Sequence, residues 1–125
     1  MVELTLLING RSVAAEANAS FDRLGPLGSE AITRAPAAQL ADAVAAVEAA
    51  ACAFPTWSAF GPNTRRTILL RAATLLADKI EQFVRLMTAE TGASAAWGRF
   101  NVMLGSSMLR EAAAITTQIT GEVIP

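Results

Sequence analysis

A thiol placed beside a base, or a pair of carboxylates, would be the natural place to look for chemistry in this chain. Cys52, in the stretch Ala50-Ala51-Cys52-Ala53-Phe54-Pro55, is the sole cysteine, and histidine is absent. Without histidine there is no Ser-His-Asp or Cys-His catalysis here and no His-based zinc site. A nucleophilic cysteine needs its pKa depressed by a helix N-terminus, a cation or a base. Cys52 falls instead toward the C-terminal end of an expected helix, where the dipole opposes a thiolate. Its neighbours are alanines and one aromatic, so it reads as a small buried hydrophobe, the usual situation of a free cysteine. Glu90 and Glu111 are the carboxylates one would pair as acid and base. They fall on different expected helices beside Thr91 and Arg110, and solvated surface is the better reading. Gly98 and Gly105 form no phosphate loop, because they sit inside an expected helix rather than after a strand. They read as allowing close helix packing or room for a ligand.

The elements that would carry these residues follow from turn chemistry and periodicity. Leu4 to Val13 is two short apolar runs around Asn9-Gly10, the signature of a β-hairpin closed by a type I′ turn. Ala14 to Ser20 reads as a loop. Gly25, Pro26 and Gly28 impose a turn, with a short strand near Ala31 to Arg34. After Pro36 the period becomes helical: Leu40, Val44, Val47, Ala51 and Phe54 form one apolar stripe, which Pro55 is expected to end. Trp57 and Phe60 then lie on a loop covering the neighbouring core. Asn63 or Thr64 is the candidate N-cap of a second helix, with Ile68, Leu69, Ala72, Leu75 and Leu76 inward. Asp78 marks a kink or a restart. Ile80, Phe83, Val84 and Met87 face inward on a third helix, closed at Thr91-Gly92. Ser94 opens the longest helix, running to about Thr117. A turn and the first residues of a strand complete the chain.

The totals bound the class. With 125 residues and 53% hydrophobic content, the chain suffices for one compact domain or a substantial piece of one. A net charge of −1 gives no long-range attraction for nucleic acid or an anionic membrane. A single cysteine suits a reducing, cytoplasmic setting. The acidic start Met1-Val2-Glu3-Leu4 is unlike a signal peptide. Charges, Pro or Gly interrupt each apolar run before it reaches the length of a bilayer span.

The order "LLINGRSV", Pro26 with Glu30, "ADAVAAVEAAACAFPTWS", then "RRTILLRAATLLADKIEQFVRLMTAETGA" resembles the N-terminal part of aldehyde dehydrogenases. The segment "ETGASAAWGRFNVMLGSSMLREAAAITTQITGEVIP" resembles the branch acting on aromatic aldehydes, the salicylaldehyde, benzaldehyde and vanillin dehydrogenases. The resemblance runs from about Leu6 to Pro125. Gly25-Pro26 and Gly28-Ser29-Glu30 stand where the family commonly has Asn-Pro and Thr-Gly-Glu or Ser-Gly-Glu. The resemblance implies an α/β fold, the N-terminal part of the aldehyde dehydrogenase fold, truncated before the dinucleotide-binding sheet. Residues 1–35 would be the hairpin and short strand, 36–117 the helical part of the cofactor-binding domain, and 118–125 the start of an oligomerisation strand.

The activity it implies is oxidation of an aldehyde to the acid through a cysteine thiohemiacetal, with NAD or NADP as acceptor. The nucleophile, the oxyanion asparagine and the cofactor contacts of the family all lie beyond the matched segment. Cys52 is therefore not the nucleophile, Asn101 is not the oxyanion asparagine, and this chain alone is expected to be inactive. In the family the helix after Glu-Thr-Gly lines the passage to the thiolate. Trp97, Phe100, Asn101, Leu104 and Met108 share one face of that helix. Such a stripe is by spacing more often core than pocket. The resemblance raises Trp97, Phe100, Asn101 and Leu104 as substrate-binding residues, an indole, a phenyl ring and an aliphatic wall for a flat aromatic aldehyde, and leaves Met108 to the core. Homodimers or tetramers would follow from the family. The competing reading is a stand-alone helical interaction module that binds full-length subunits. In either case the isolated chain is expected to be marginally stable, because helices that pack on a later sheet lack their partner.

Overall fold

A computed structural model of the chain describes residues 1–28, 30–119 and 121. Strands β1 (Val2–Glu3), β2 (Leu6–Ile8), β3 (Arg11–Val13), β4 (Ser20–Leu24) and β5 (Ala31–Pro36) precede helices α1 (Leu40–Ala59), α2 (Pro62–Asp78), α3 (Ile80–Thr91) and α4 (Ala95–Ala114). A 3₁₀ turn, Ile115–Gln118, follows α4. The chain divides into two compact units, one of Met1–Ala59 with Ala89–Gly92, the other of Phe60–Thr88 with the chain from Ala93 onward.

In the first unit the hairpin forms as expected: Leu6 pairs with Val13 and Ile8 with Arg11. Asn9 and Gly10 both take positive φ, 51° and 71°, the dihedrals a two-residue type I′ turn demands. The expected strand near Ala31 extends to Pro36 and becomes the centre of a three-stranded sheet in the order β1-β5-β4. β4 runs antiparallel to it and β1 parallel; neither was legible, since two residues make β1 and β4 has no alternation. The Gly25 N–H donates to the Glu30 carbonyl at 2.9 Å and closes the turn between β4 and β5.

α1 runs through Pro55 to Ala59 instead of stopping there. Proline forfeits one backbone hydrogen bond inside a helix, yet the last turn persists, with the Ser58 hydroxyl donating to the Pro55 carbonyl at 3.0 Å. Trp57 is thus helical, and the connection to α2 shrinks to residues 60 and 61. The expected stripe of α1 is not buried: Leu40, Val44, Val47 and Phe54 are exposed, as is Cys52. The alanine face (Ala46, Ala49, Ala50, Ala53) borders the hairpin instead. Because alanine counts as apolar, α1 also reaches the length and mean hydropathy of a bilayer span, 20 residues at 1.2, against the sequence expectation. Its first turn is nevertheless tied down: Asp42 accepts from the backbone N–H of Gln39 at 2.8 Å and of Glu16 at 3.1 Å, the reciprocal half of a capping box plus one contact across the unit.

In the second unit α2 starts at Pro62, with Gly61 rather than Asn63 or Thr64 preceding it. A proline at the first helical position needs no N–H partner there and has its φ already set. Lys79 separates α2 from α3, the restart expected at Asp78. The inward face of α2 is narrower than its periodicity implied. Ala73 is fully buried and Leu69, Ala72 and Leu76 partly so, while Ile68 and Leu75 are exposed. On α3, Val84 is buried as expected, with Ile80 and Met87 partly so, but Phe83 is exposed. α4 and α1 have equal lengths of 20 residues. The strand expected within 118–125 falls on residues of which all but 118, 119 and 121 lie outside those described.

Candidate functional site

α4 begins where Ser94 places it. The Ser94 hydroxyl accepts the backbone N–H of Trp97 at 3.2 Å, so the cap fixes the residue that carries the indole. Gly98, Val102, Ser106 and Ala113 are the buried residues of the helix. A Cβ on Gly98 would stand 3.2 Å from Val84 Cγ2 and 3.3 Å from Val84 Cα, so α3 and α4 meet nearly backbone to backbone. Further along, the Ser106 hydroxyl donates to the Ala73 carbonyl at 3.0 Å and accepts from Arg110 at 2.7 Å. This buried serine satisfies its hydroxyl in both senses, which lets a polar side chain sit in the α2–α4 seam. The exposed Arg99–Glu81 pair, 3.0 Å apart, adds little beyond orientation.

The small-residue seam decides where the large side chains go. At 100° per residue, Trp97, Phe100, Asn101, Leu104 and Met108 span an arc of about 100°, roughly opposite the seam. Trp97 is 56% exposed, Phe100 51% and Met108 64%. Leu104 is exposed and Asn101 half-buried. The stripe is not the seam by which α4 packs in this chain, and Met108, expected in the core, belongs with the outward residues. Met103, outward too, escaped the sequence reading because it is one position off the stripe.

The structure brings two of these side chains together and ties a third to the helix backbone. The rings of Trp97 and Phe100 stack with centroids 5.3 Å apart and planes inclined by 26°, within the range of favourable offset stacking. The Asn101 side-chain amide donates to the Trp97 carbonyl one turn earlier at 2.8 Å. Leu104 continues the same side one turn on. The assembly is an aromatic ledge with one polar edge, carrying no nucleophile, base or acid.

The other candidates sort differently. Glu90 is not solvated surface: its side chain is 18% exposed, one oxygen paired with Arg23 at 3.0 Å and the other accepting from Thr33 at 2.6 Å. Thr33 is itself buried, 1% exposed. This trio ties the last turn of α3 to strands β4 and β5, a structural task no local sequence signal announced. Glu111 is exposed. Gly98 and Gly105 lie within α4 with Val84 and Leu76 at their Cβ positions, so they are packing glycines and no phosphate cradle. Among the described residues no group of three or more His, Cys, Asp or Glu is placed to hold a metal.

Described in this way, the chain is an α/β scaffold presenting an aromatic-faced helix. The sequence profile of the aldehyde dehydrogenase family matches residues 13–125, and the chain belongs to that family. It is 50% identical over its full length to a vanillin dehydrogenase of a Pseudomonas species, strain HR199, and covers 26% of that protein. The crystal structure of a salicylaldehyde dehydrogenase from Pseudomonas putida G7, complexed with salicylaldehyde, superposes on all of this chain with a TM-score of 0.97 at 39% identity, again over 26% of its length. An NAD-dependent benzaldehyde dehydrogenase from Corynebacterium glutamicum superposes over 95% of the chain and 26% of its own, with a TM-score of 0.89 at 28% identity. The chain thus spans about a quarter of the length of the relatives it matches, and its fold is that of their N-terminal part.

Proposed function

We propose that the protein carrying this sequence oxidises an aromatic aldehyde to the carboxylic acid with NAD or NADP, and that Trp97, Phe100, Asn101 and Leu104 form part of the wall that receives the substrate. The observation that carries the reading is the stacked Trp97–Phe100 pair on the face of α4 opposite its packing seam, in a chain whose near relatives are a vanillin and a salicylaldehyde dehydrogenase. A flat ring gains stacking and apolar burial against such a ledge, where an aliphatic aldehyde gains burial alone. The ledge does no bond chemistry. Its work is to hold the ring, exclude water and set the angle at which the carbonyl is presented. The nicotinamide cofactor would supply the hydride acceptor, and none of the described residues contacts it in this reading. Cys52, exposed on α1, takes no part.

The stripe Leu40, Val44, Val47 and Phe54 on α1 fits burial against further chain or a second subunit, as in a homodimer or tetramer. The alternative of a stand-alone interaction module finds no support in relatives that are dehydrogenases along the whole of this chain. The test is an assay of the polypeptide as its own gene expresses it, with benzaldehyde, salicylaldehyde and vanillin, each with NAD and with NADP. Formation of reduced nicotinamide together with the matching carboxylic acid is expected. Oxidation of none of the three with either cofactor would overturn the proposal.

A further inference from the structure

The turn Asn9-Gly10 between β2 and β3 joins a side-chain amide to a backbone nitrogen that nothing engages. Asn9 precedes a glycine, whereas Asn18, Asn63 and Asn101 precede Ala19, Thr64 and Val102. Both turn residues are exposed. Gly10 lies outside the Ile8–Arg11 pairing, and among the described residues its N–H makes no hydrogen bond. Beyond its chain neighbours, no heavy atom stands within 4 Å of where a Cβ on Gly10 would be, so a rearrangement there meets no obstacle. The other asparagines are guarded. The Ala19 N–H donates to the Glu16 carbonyl at 3.2 Å. Thr64 and Val102 lie within α2 and α4, and the Asn101 amide itself donates to the Trp97 carbonyl at 2.8 Å. The hairpin is also short, with three residues in each strand. A ribbon of that size is marginal in water, so the local opening that lets backbone and side chain align costs little.

We propose that Asn9 is a modification site, whose side chain cyclises onto the Gly10 nitrogen and converts to aspartate and isoaspartate. The Gly10 nitrogen bonds to Asn9 Cγ as the Cγ–Nδ2 bond breaks, and the displaced amide group leaves as ammonia with the Gly10 proton. Glycine suits this step because it sets no Cβ beside the attacking nitrogen and leaves the backbone free to turn. Water then opens the five-membered imide. Cleavage of the new N–Cγ bond restores the ordinary chain, with aspartate at position 9. Cleavage at the main-chain carbonyl leaves the chain running through Cβ and Cγ, an isoaspartate with one more backbone atom. Either way one water is consumed and one ammonia released, with no redox partner. Aspartate keeps the turn, since Asp-Gly takes the same dihedrals as Asn-Gly. Isoaspartate does not. A two-residue turn with φ of 51° and 71° is closed by a fixed number of backbone atoms, and that closure sets the register of Leu6 on Val13. The hairpin then comes away from the alanine face of α1 that it borders.

The test ages the polypeptide as its gene expresses it, in neutral and in mildly alkaline buffer. The same polypeptide unfolded in guanidinium chloride is the reference for an unprotected chain. Proteolytic peptides are then separated and weighed by mass spectrometry. Over the period in which the unfolded reference loses the Asn9 amide, the native protein is expected to lose it too. The products have one mass and separate by chromatography, while Asn18, Asn63 and Asn101 keep their amides. Conversion is faster in the alkaline buffer, because the deprotonated nitrogen is the nucleophile. Hydrogen exchange on the aged protein is expected to show lost protection across residues 6–13 in the isoaspartate form. Asn9→Asp, which installs the carboxylate without lengthening the chain, keeps that protection. An Asn9 amide that survives in the native protein but not in the reference, or earlier loss at another asparagine, would overturn the modification site. Equal protection in the isoaspartate form and in Asn9→Asp would overturn the release of the hairpin. None of these outcomes depends on the proposed aldehyde oxidation.

Discussion

Replacing Gly98 by alanine and, separately, Gly105 by alanine makes the same chemical change twice on one helix, with opposite expected outcomes. In both cases alanine gains up to about 1 kcal/mol of helix propensity. At Gly98 the new methyl would meet Val84 Cα at 3.3 Å and Val84 Cγ2 at 3.2 Å. A backbone atom cannot swing aside, so α3 and α4 must separate by a few tenths of an ångström, and overpacking of this kind costs about 1–3 kcal/mol. The net expectation is destabilisation by about 1 kcal/mol. At Gly105 the sole close contact is Leu76 Cδ2 at 3.3 Å, the end of a flexible side chain that yields for about 0.5 kcal/mol. Gly105→Ala should therefore stabilise by about 0.5 kcal/mol. The two variants differ by about 1.5 kcal/mol, which at a urea m-value of about 1–3 kcal/mol/M separates their midpoints by roughly 0.5–1.5 M. Equilibrium urea unfolding followed by far-UV circular dichroism reads this directly. Stabilisation by Gly98→Ala equal to that by Gly105→Ala would refute the close α3–α4 approach.

Thr33→Val removes the hydrogen bond to Glu90 while keeping the shape, and a loss of about 1–2 kcal/mol in urea unfolding is expected for a buried hydroxyl bonded to a carboxylate. Asp42 has its pKa lowered from the ordinary 3.8 by hydrogen bonds from the backbone N–H groups of Gln39 and Glu16. A depressed folded-state pKa means the contribution is fully present above about 3.8 and is lost as pH falls through the lower folded value. The stability difference between the unmodified protein and Asp42→Ala should therefore be constant above about pH 3.8 and shrink as the pH falls through the lower folded value; a difference independent of pH into that range would count against the capping role. On the proposed function, Trp97→Ala in the polypeptide as its gene expresses it is expected to raise KM for benzaldehyde by roughly tenfold, about 1.4 kcal/mol, while changing KM for a short aliphatic aldehyde far less. Equal effects on both would argue against stacking on the ledge.

Features set by neighbours in sequence were legible. Asn9-Gly10 can close a hairpin by itself because its preferred dihedrals are those of the turn. Gly92, with φ of 70°, ends α3 for the same reason. Ser94 caps α4 with its own hydroxyl. The order of short motifs was enough to place the chain in its family. What local chemistry could not announce was which face of each helix is turned inward. Periodicity nominates the face with the largest apolar side chains, and on α2 and α4 that nomination failed for Ile68, Leu75 and Met108.

The amino-acid sequence by itself determined the Asn9-Gly10 turn, the Ser94 cap, the Gly92 stop and the family, because each rests on interactions within a few residues or on motif order, whereas the end of α1 beyond Pro55 and the start of α2 at Pro62 departed from the local signals. Tertiary structure alone decided that α4 packs through Gly98, Val102 and Ser106 and so leaves Trp97, Phe100 and Leu104 outward. It also decided that Glu90, Arg23 and Thr33 meet from three different elements. The physical reason is the same in both cases. Helices approach most closely where side chains are small, and a buried carboxylate persists only where distant donors converge on it; neither condition is written in any one stretch of chain.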